Sequence, residues 1–319
     1  MVSYIYKGED INALLYKEKS TMATEYGLQL FSLRDITGND LEGALRAVAE
    51  MGYKYVEYAG FFGHSAEQVK EWQDKYGLKC SGTHSGWVEL LPENIEATIA
   101  FHKTIGNPNY IIPGADLSTL DKIIDFCAVM NKAQIRLAEE GISLGYHNHS
   151  HEFVVMPWGS TIHSELEKRG TFDFEIDTFW AFNAGIDPVE TLKRLSGRVK
   201  VIHLKDGIAA KPEHRNYLEW GKGVEGRSVG SGEAPILAIR EWCLKNNVLM
   251  VIESEGLDPT GPEEVGRCIA YLRTSTGGSG YTAAQIAEMR NQKQKEIKDL
   301  EFQIKMADAE YKIMLTEVN

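Results

Sequence analysis

The sequence predicts a (β/α)8 barrel, the closed architecture in which each of eight parallel strands is followed by a helix. Short runs rich in β-branched and aromatic residues alternate with amphipathic stretches along most of the 319 residues. Most runs begin about 25–30 residues after the previous one, which is the repeat length of such a barrel. The composition, 43% hydrophobic and 25% charged, allows a sizeable core.

Eight strands and the main helices follow from these patterns in chain order. The predicted strands are Gly27–Phe31, Tyr55–Tyr58, Lys79–His84, Tyr110–Pro113, Ser143–His147, Phe172–Asp177, Val199–Leu204 and Leu249–Glu253. The predicted helices are Leu41–Met51, Ala66–Tyr76, Asn94–Ile105, Leu117–Glu140, Val189–Leu195 and Ala234–Asn246. Before the last strand, the glycine- and charge-rich stretch Gly207–Gly232 predicts a loop over the barrel mouth.

The ends of the chain differ in character from the predicted barrel at residues 25–274. Residues 1–24 carry apolar side chains without a clear period and are interpreted as an N-terminal arm. Residues 275–280 have the composition of a flexible linker. Residues 281–319 predict a helix, because apolar residues from Ile297 to Val318 recur at spacings of three and four. We expect this helix to make an intersubunit contact; folding back on its own barrel is the alternative.

Charge and cysteine content narrow the class of protein. The net charge of -12 disfavours a nucleic-acid partner, because phosphate binding favours a basic surface. The chain shows neither a signal peptide nor an apolar run of about 18 residues that could span a membrane. Four scattered cysteines, at positions 80, 127, 243 and 268, predict reduced and mostly buried thiols. The sequence therefore predicts a cytoplasmic protein.

Four successive strands carry a potential metal ligand at or near their C-terminal ends. The four residues are His147, Asp177, His203 and Glu253. In a barrel these strand ends surround one mouth, where active sites lie. Two imidazoles and two carboxylates suit a divalent ion, and we expect Mn²⁺, with Mg²⁺, Zn²⁺, Fe²⁺ or Co²⁺ as alternatives.

Titratable residues next to these ligands are candidates for acid–base catalysis. Because side chains alternate along a strand, His149, Lys205 and Glu255 should face the same way as the ligand two residues before each. His149 is the preferred base, since an imidazole titrates near neutrality, and Lys205 is the preferred acid. Salt bridging at the rim is the alternative for Lys205 and Glu255. Glu152 is a candidate partner of a ligating histidine.

The earlier strands and the mouth loops offer candidates for substrate binding. Glu57 and His84 end the second and third strands and could bind substrate hydroxyls. Aromatic residues crowd the loops, and among them Trp87 and Trp180 could pack on a sugar or a flat aryl group. With Glu255 they complete the expected substrate-binding set. Packing within the core and loops is the alternative for several of these residues.

Several segments together resemble the xylose-isomerase-like barrels. The matching segments are GLQLFSLR at 27–34, GYKYVEYAG at 52–60, YHNHSHEF at 146–153, DTFWA at 177–181, HLKD at 203–206 and Glu253. The resemblance implies a divalent ion held by strands five to eight. Many of these relatives carry Glu on strand five, where this chain has His147, which argues against a scheme with two symmetric glutamates. The endonuclease branch uses more ligands and a basic surface, which this acidic chain lacks.

Three functions are compatible with these features. The chain also resembles the catalytic subunits of bacterial C-glycoside deglycosidases, which implies a lyase that cleaves 3-oxo-C-glycosides and assembles with a small β-type partner subunit. The second candidate is an isomerase or epimerase of a keto-sugar or its phosphate, which Arg215 and Arg227 in the long loop keep open. The third is a non-catalytic scaffold subunit, against which the complete ligand set argues.

The predicted C-terminal helix can be tested by truncation. Removing the chain from Thr276 onward should lower the number of subunits in the assembly, because the helix expected to join the subunits is removed. Light scattering measures the mass, and circular dichroism checks that the barrel stays folded. An unchanged number of subunits would instead favour packing of the tail against its own barrel.

Overall fold

Eight parallel strands close into a barrel, which confirms the predicted fold class. The computed structural model describes residues 24–275 and the single residue Lys295. The barrel strands are β1 (Gly27–Gln29), β2 (Tyr55–Tyr58), β3 (Lys79–His84), β4 (Asn109–Ile112), β5 (Ser143–His147), β6 (Asp173–Asp177), β7 (Val199–Leu204) and β10 (Leu249–Ile252). Each of β2 to β6 pairs with the strands before and after it in the chain, β7 pairs with β6 and β10, and β10 pairs with β1 to close the ring.

Helices surround the barrel and cover its outer face. They are α1 (Leu41–Met51), α2 (Ala66–Tyr76), α3 (Ile95–Thr104), α4 (Leu120–Glu139), α5 (Ile162–Arg169), α6 (Thr178–Asn183), α7 (Pro188–Arg194), α8 (Ile236–Asn246) and α9 (Gly261–Thr274). Side-chain caps start several of them: Asp40, Ser65 and Thr119 accept backbone N–H groups in the first turns of α1, α2 and α4. Buried apolar residues of the helices and the strands' outer faces form one continuous core.

The first strand is two residues shorter than predicted. It ends at Gln29, whose side-chain oxygen accepts the backbone N–H of Phe31 at 3.0 Å and starts the 3-10 helix Leu30–Leu33. Three helices were not predicted from periodicity: α5, α6 and α9. Helix α6 spans only six residues, so it is too short to display a helical repeat in the sequence.

The stretch predicted as a loop over the mouth contains a small hairpin held by one carboxylate. Strands β8 (Asp206–Ile208) and β9 (Glu225–Arg227) pair antiparallel. The Asp206 carboxylate accepts the backbone N–H groups of Gly230 and Gly232, each at 2.9 Å, and of Ala234 at 3.1 Å. A Cβ at position 232 would clash with Asp206 Oδ1, so this close approach requires glycine.

Other predictions about the chain have different outcomes. All four cysteines are buried and unpaired, as expected. No helix within residues 24–275 is long and apolar enough to cross a membrane. The predicted arm, linker and C-terminal helix lie, apart from Thr24, Ser275 and Lys295, outside the described residues, so they stay predictions.

Replacing Asp206 with Asn should destabilise the protein by about 1–3 kcal/mol, because a buried amide cannot accept every N–H group that the carboxylate accepts. Urea unfolding measures the free energy, and limited proteolysis between residues 209 and 224 reports loosening of the hairpin. Asp187→Asn is the matched control, since Asp187 is an exposed helix cap and Asn caps equally well. Equal, small losses in both variants would contradict the assigned role of Asp206.

Candidate metal centre

The four predicted ligands converge at the C-terminal mouth of the barrel. His147 and Asp177 end β5 and β6, His203 is the penultimate residue of β7, and Glu253 follows β10 directly. Asp177 and His203 are partners in the register of β6 and β7, which places them side by side. One potential ligand atom from each of the four residues lies within 4.8 Å of the others, and all four residues are buried. The arrangement brings together every residue predicted to bind the ion.

The donor set fits a divalent metal ion. Asp177 Oδ2 is buried without a hydrogen-bond partner among residues 24–275, and its nearest basic atoms are His203 Nδ1 at 3.8 Å and Lys205 Nζ at 3.9 Å. A buried carboxylate oxygen in this state is costly unless a charge compensates it. Two imidazoles and two carboxylates are ligands that a divalent ion accepts. The cluster can therefore hold such an ion, and its identity as Mn²⁺ stays an expectation.

Burial and neighbouring charges shift the pKa values of the ligands in different directions. Burial, reinforced by the charge of Glu253, raises the pKa of Asp177 to about 7. Burial also acts on Glu253, but Lys205 and His203 outweigh it and lower the pKa of that carboxyl well below its usual range. Burial and the nearby His203 lower the pKa of His147, so its ring is neutral. A neutral imidazole and an ionised carboxylate are the forms that bind metal.

Lys205 is a buried cation beside the ligands. Its Nζ lies 2.9 Å from Glu255, 3.2 Å from Glu253 and 4.7 Å from the ring centre of Trp180. Burial opposes its charge, but Glu253, Asp177 and Glu255 outweigh burial and raise its pKa. Lys205 is therefore a fixed ammonium group that can donate a hydrogen bond or a proton at the mouth.

His149 lies next to His147 and is neutral. Its ring centre is 5.0 Å from that of His147 and 4.9 Å from that of Trp220. Burial, reinforced by the charge of Lys205, lowers the pKa of His149 to about 3. The ring is therefore a weaker base than the free imidazole on which the sequence-based prediction relied, because it is desolvated next to a cation.

Glu152 supports the segment after β5 and contacts neither ligating imidazole. Its carboxylate accepts the backbone N–H of His149 at 2.8 Å and the hydroxyl of Tyr146 at 3.0 Å. Burial raises its pKa to about 7. These contacts fix the backbone that carries His149.

The predicted substrate-binding residues occupy different environments. Glu57 is fully buried and lies 2.8 Å from His203 Nε2, and His84 lies between Glu57 and Glu175 at 3.1 and 2.7 Å. Glu255 is partly exposed beside Lys205, whereas Trp87 packs edge-on against Phe126 of α4. Trp180 is buried beneath Lys205. Glu255 is thus the best placed of this set to meet a substrate.

Two residues at the mouth were not singled out as site residues from the sequence. Trp220, in the turn between β8 and β9, contacts the rings of His149 and Trp180. Arg34 donates from Nη2 to the backbone oxygen of Glu255 at 2.7 Å. Arg34 and Glu255 are far apart in the sequence, so no local pattern could reveal their contact.

The family profile described as "Xylose isomerase-like TIM barrel" matches residues 45–243, which is more than half of the chain. The chain belongs to this family. Curated proteins gave no match.

Solved structures provide more specific likenesses. A sugar phosphate isomerase/epimerase from Parabacteroides distasonis ATCC 8503 is 26% identical, with a TM-score of 0.66 over 79% of this chain and 98% of that one. A second from the same organism is 24% identical, with a TM-score of 0.65 over 80% and 96%. A probable 3-DHS dehydratase from Bacillus anthracis is 11% identical, with a TM-score of 0.61 over 79% and 100%. The last two likenesses show the fold alone.

Replacing Asp177 with Ala should lower the affinity for Mn²⁺ by more than about 100-fold. Removing a residue that only hydrogen-bonds to a metal ligand already lowers metal affinity by about 10–100-fold. Chelator competition on the metal-free protein gives the dissociation constant, and elemental analysis gives the metal content. Asp173→Asn is the matched control, because Asp173 starts the same strand and pairs with Lys200. Unchanged metal content in Asp177→Ala would remove Asp177 from the ligand set.

Proposed function

We propose that this chain is a metal-dependent isomerase or epimerase that acts on a keto-sugar by removing a proton next to the carbonyl. The observation that carries the proposal is the pair His149 and Lys205 beside the four-ligand cluster. His149 is neutral and Lys205 is protonated. Paired groups whose environments separate their pKa values are typical of acid–base catalysis. A divalent ion bound by the cluster would supply Lewis-acid polarisation of the carbonyl.

Each side chain then has a separate task. Lys205, held as an ammonium by three carboxylates, donates a hydrogen bond to the oxygen on which negative charge develops. His149 is neutral and accepts the proton. A pKa of about 3 limits its strength as a base, which makes Glu255, 2.9 Å from Lys205 and partly exposed, the competing acceptor.

Reprotonation of the neighbouring carbon, with transfer of a proton between the two oxygens of the enediolate, yields an isomer. Reprotonation of the original carbon on its opposite face yields an epimer and requires a second acid. The 26% identity to a sugar phosphate isomerase/epimerase supports this reaction class. The arginines of the long loop do not favour the phosphorylated form of the substrate. Arg227 pairs with Glu225, and Arg215 donates to the backbone oxygen of Ala210, so both arginines are engaged within the long loop. We therefore favour an unphosphorylated sugar.

The second candidate is the lyase reaction on 3-oxo-C-glycosides. It begins with the same proton removal, after which the aglycone leaves instead of the proton returning. Trp220, Tyr217 and His151 favour it, because their rings could contact a flat aglycone. The ring centre of His151 lies 5.6 Å from that of Tyr217 and 5.1 Å from that of Trp220, which in turn lies 4.9 Å from that of His149. This candidate function would also involve a small partner subunit and a C-terminal helix that mediates oligomerisation.

His149→Asn should retain the ion and lower the turnover number by about 10²–10⁴-fold, the usual contribution of a general acid or base. The assay incubates the Mn²⁺-loaded full chain with unphosphorylated ketoses in D₂O. NMR detects deuterium on the carbon next to the carbonyl and the appearance of an isomer. Glu255→Gln run in parallel identifies the base: the larger loss marks the proton acceptor.

The same assay separates the candidate functions. Release of an aglycone from a 3-oxo-C-glycoside, without deuterium uptake by ketoses, would favour the lyase. Turnover of ketose phosphates alone would contradict the preference for an unphosphorylated sugar. Metal-loaded protein that exchanges no proton with any of these substrates would contradict the enolate chemistry as a whole.

A further inference from the structure

The two ligand histidines each direct a second ring nitrogen at a buried carboxylate. His203 Nδ1 faces the ligand side, 3.3 Å from Glu253 Oε2, while Nε2 lies 2.8 Å from Glu57 Oε1. His147 Nδ1 lies 3.1 Å from Glu175 Oε2, which leaves Nε2 as the nitrogen available to an ion. Glu57 and Glu175 are both fully buried. Each ligand imidazole thus lies between the ion site and a carboxylate behind it.

We propose that Glu57 and Glu175 are positioning residues that fix the ring orientation and tautomer of His203 and His147 for metal binding. A carboxylate that accepts the N–H of a ligating imidazole holds the ring in place and makes the opposite nitrogen a better donor to the metal. This role replaces the substrate contact expected for Glu57, and it does not depend on which reaction the ion serves.

Hydrogen-bond directions along β1, β2 and β7 determine the tautomer of His203. Gln29 Oε1 accepts the N–H of Phe31 at 3.0 Å, so the Gln29 amide nitrogen must be the atom that faces Glu57 Oε1 at 2.6 Å. Glu57 is therefore an acceptor. His203 Nε2, at 2.8 Å from the same oxygen, is then the donor. When an ion binds, the proton stays on Nε2, and Nδ1 is the nitrogen of His203 that faces the other ligands.

His84 joins the two carboxylates into one layer. Its Nε2 lies 2.7 Å from Glu175 Oε2 and 3.1 Å from Glu57 Oε1, and its ring stacks on that of His203 at 5.1 Å. A rival assignment is a second ion, because His84, His147, Glu175 and His203 also bring ligand-type atoms together. The N–H donors of Gln29 and the three histidines satisfy Glu57 Oε1 and Glu175 Oε2, whereas Glu57 Oε2 and Glu175 Oε1 are buried without a hydrogen-bond partner in the described part of the chain. The number of ions bound per chain therefore decides between the two assignments.

Metal titration of the full chain tests the positioning role without any substrate. Metal-free Glu57→Gln should bind Co²⁺ about 10–100-fold more weakly than the parent protein, with a shifted Co²⁺ absorption spectrum. Glu175→Gln should behave alike, and it serves if Glu57→Gln does not fold. Glu165→Gln is the matched control, because Glu165 is a buried carboxylate on α5 that bonds to Ser160 and Arg169. The control should keep the parent affinity and spectrum.

Two outcomes would overturn the proposal. The first is parent-like Co²⁺ affinity and spectrum in folded Glu57→Gln and Glu175→Gln, which would give both carboxylates a purely structural role. The second is two ions bound per parent chain with one lost in Glu57→Gln, which would make Glu57 a direct ligand of a second ion. Neither measurement involves turnover, so a failure of the proposed reaction would be seen separately.

Discussion

Four carboxylates share the interior of one barrel mouth, and the surrounding structure depends on how their charge is compensated. Glu57, Glu175 and Asp177 are fully buried, and Glu253 nearly so. Carboxyl groups at this spacing resist ionisation in a medium of low dielectric constant, unless cations or hydrogen-bond donors compensate their charge. The carboxylates raise the pKa values of Lys205, His84 and His203 in spite of burial, so these three side chains supply the opposing positive charge. The position of each basic group around the mouth follows from this requirement.

The compensation explains why the layers of the site differ in chemistry. The outer layer contains Lys205 and Glu255, which form an ion pair, and Glu255 is partly exposed. The middle layer contains the ligands. The inner layer consists of carboxylates whose hydrogen bonds orient the ligand rings. Membership of the xylose isomerase-like family agrees with an ion at the middle layer. In the proposed reaction, the outer layer would determine which sugar is accepted and whether the enolate is reprotonated or fragmented.

The sequence predicted the barrel and the grouping of the four ligands because both depend on strand periodicity alone. Parallel strands must end at one mouth, so His147 and Asp177 could be placed there without coordinates. The roles of Glu57 and His84 could not be predicted, since they depend on which nitrogen of His203 faces which oxygen. Desolvation next to Lys205, which lowers the pKa of His149, likewise requires three-dimensional distances. Contacts between residues distant in the chain, such as Arg34 with Glu255, leave no local pattern.

The carboxylate that closes the long loop is the direct neighbour of Lys205 in the sequence. Because Asp206 fixes the base of the hairpin, the backbone at Lys205 is held independently of the segment between β8 and β9. That segment, residues 209–224, carries Tyr217 and Trp220, which form the aromatic contacts beside His149 and His151. The fold thereby separates residues 209–224, which could be exchanged, from the fixed backbone that carries Lys205. Substrate preference could be altered by replacing the hairpin turn, by selection or by design, while the acid group and the ion ligands keep their geometry.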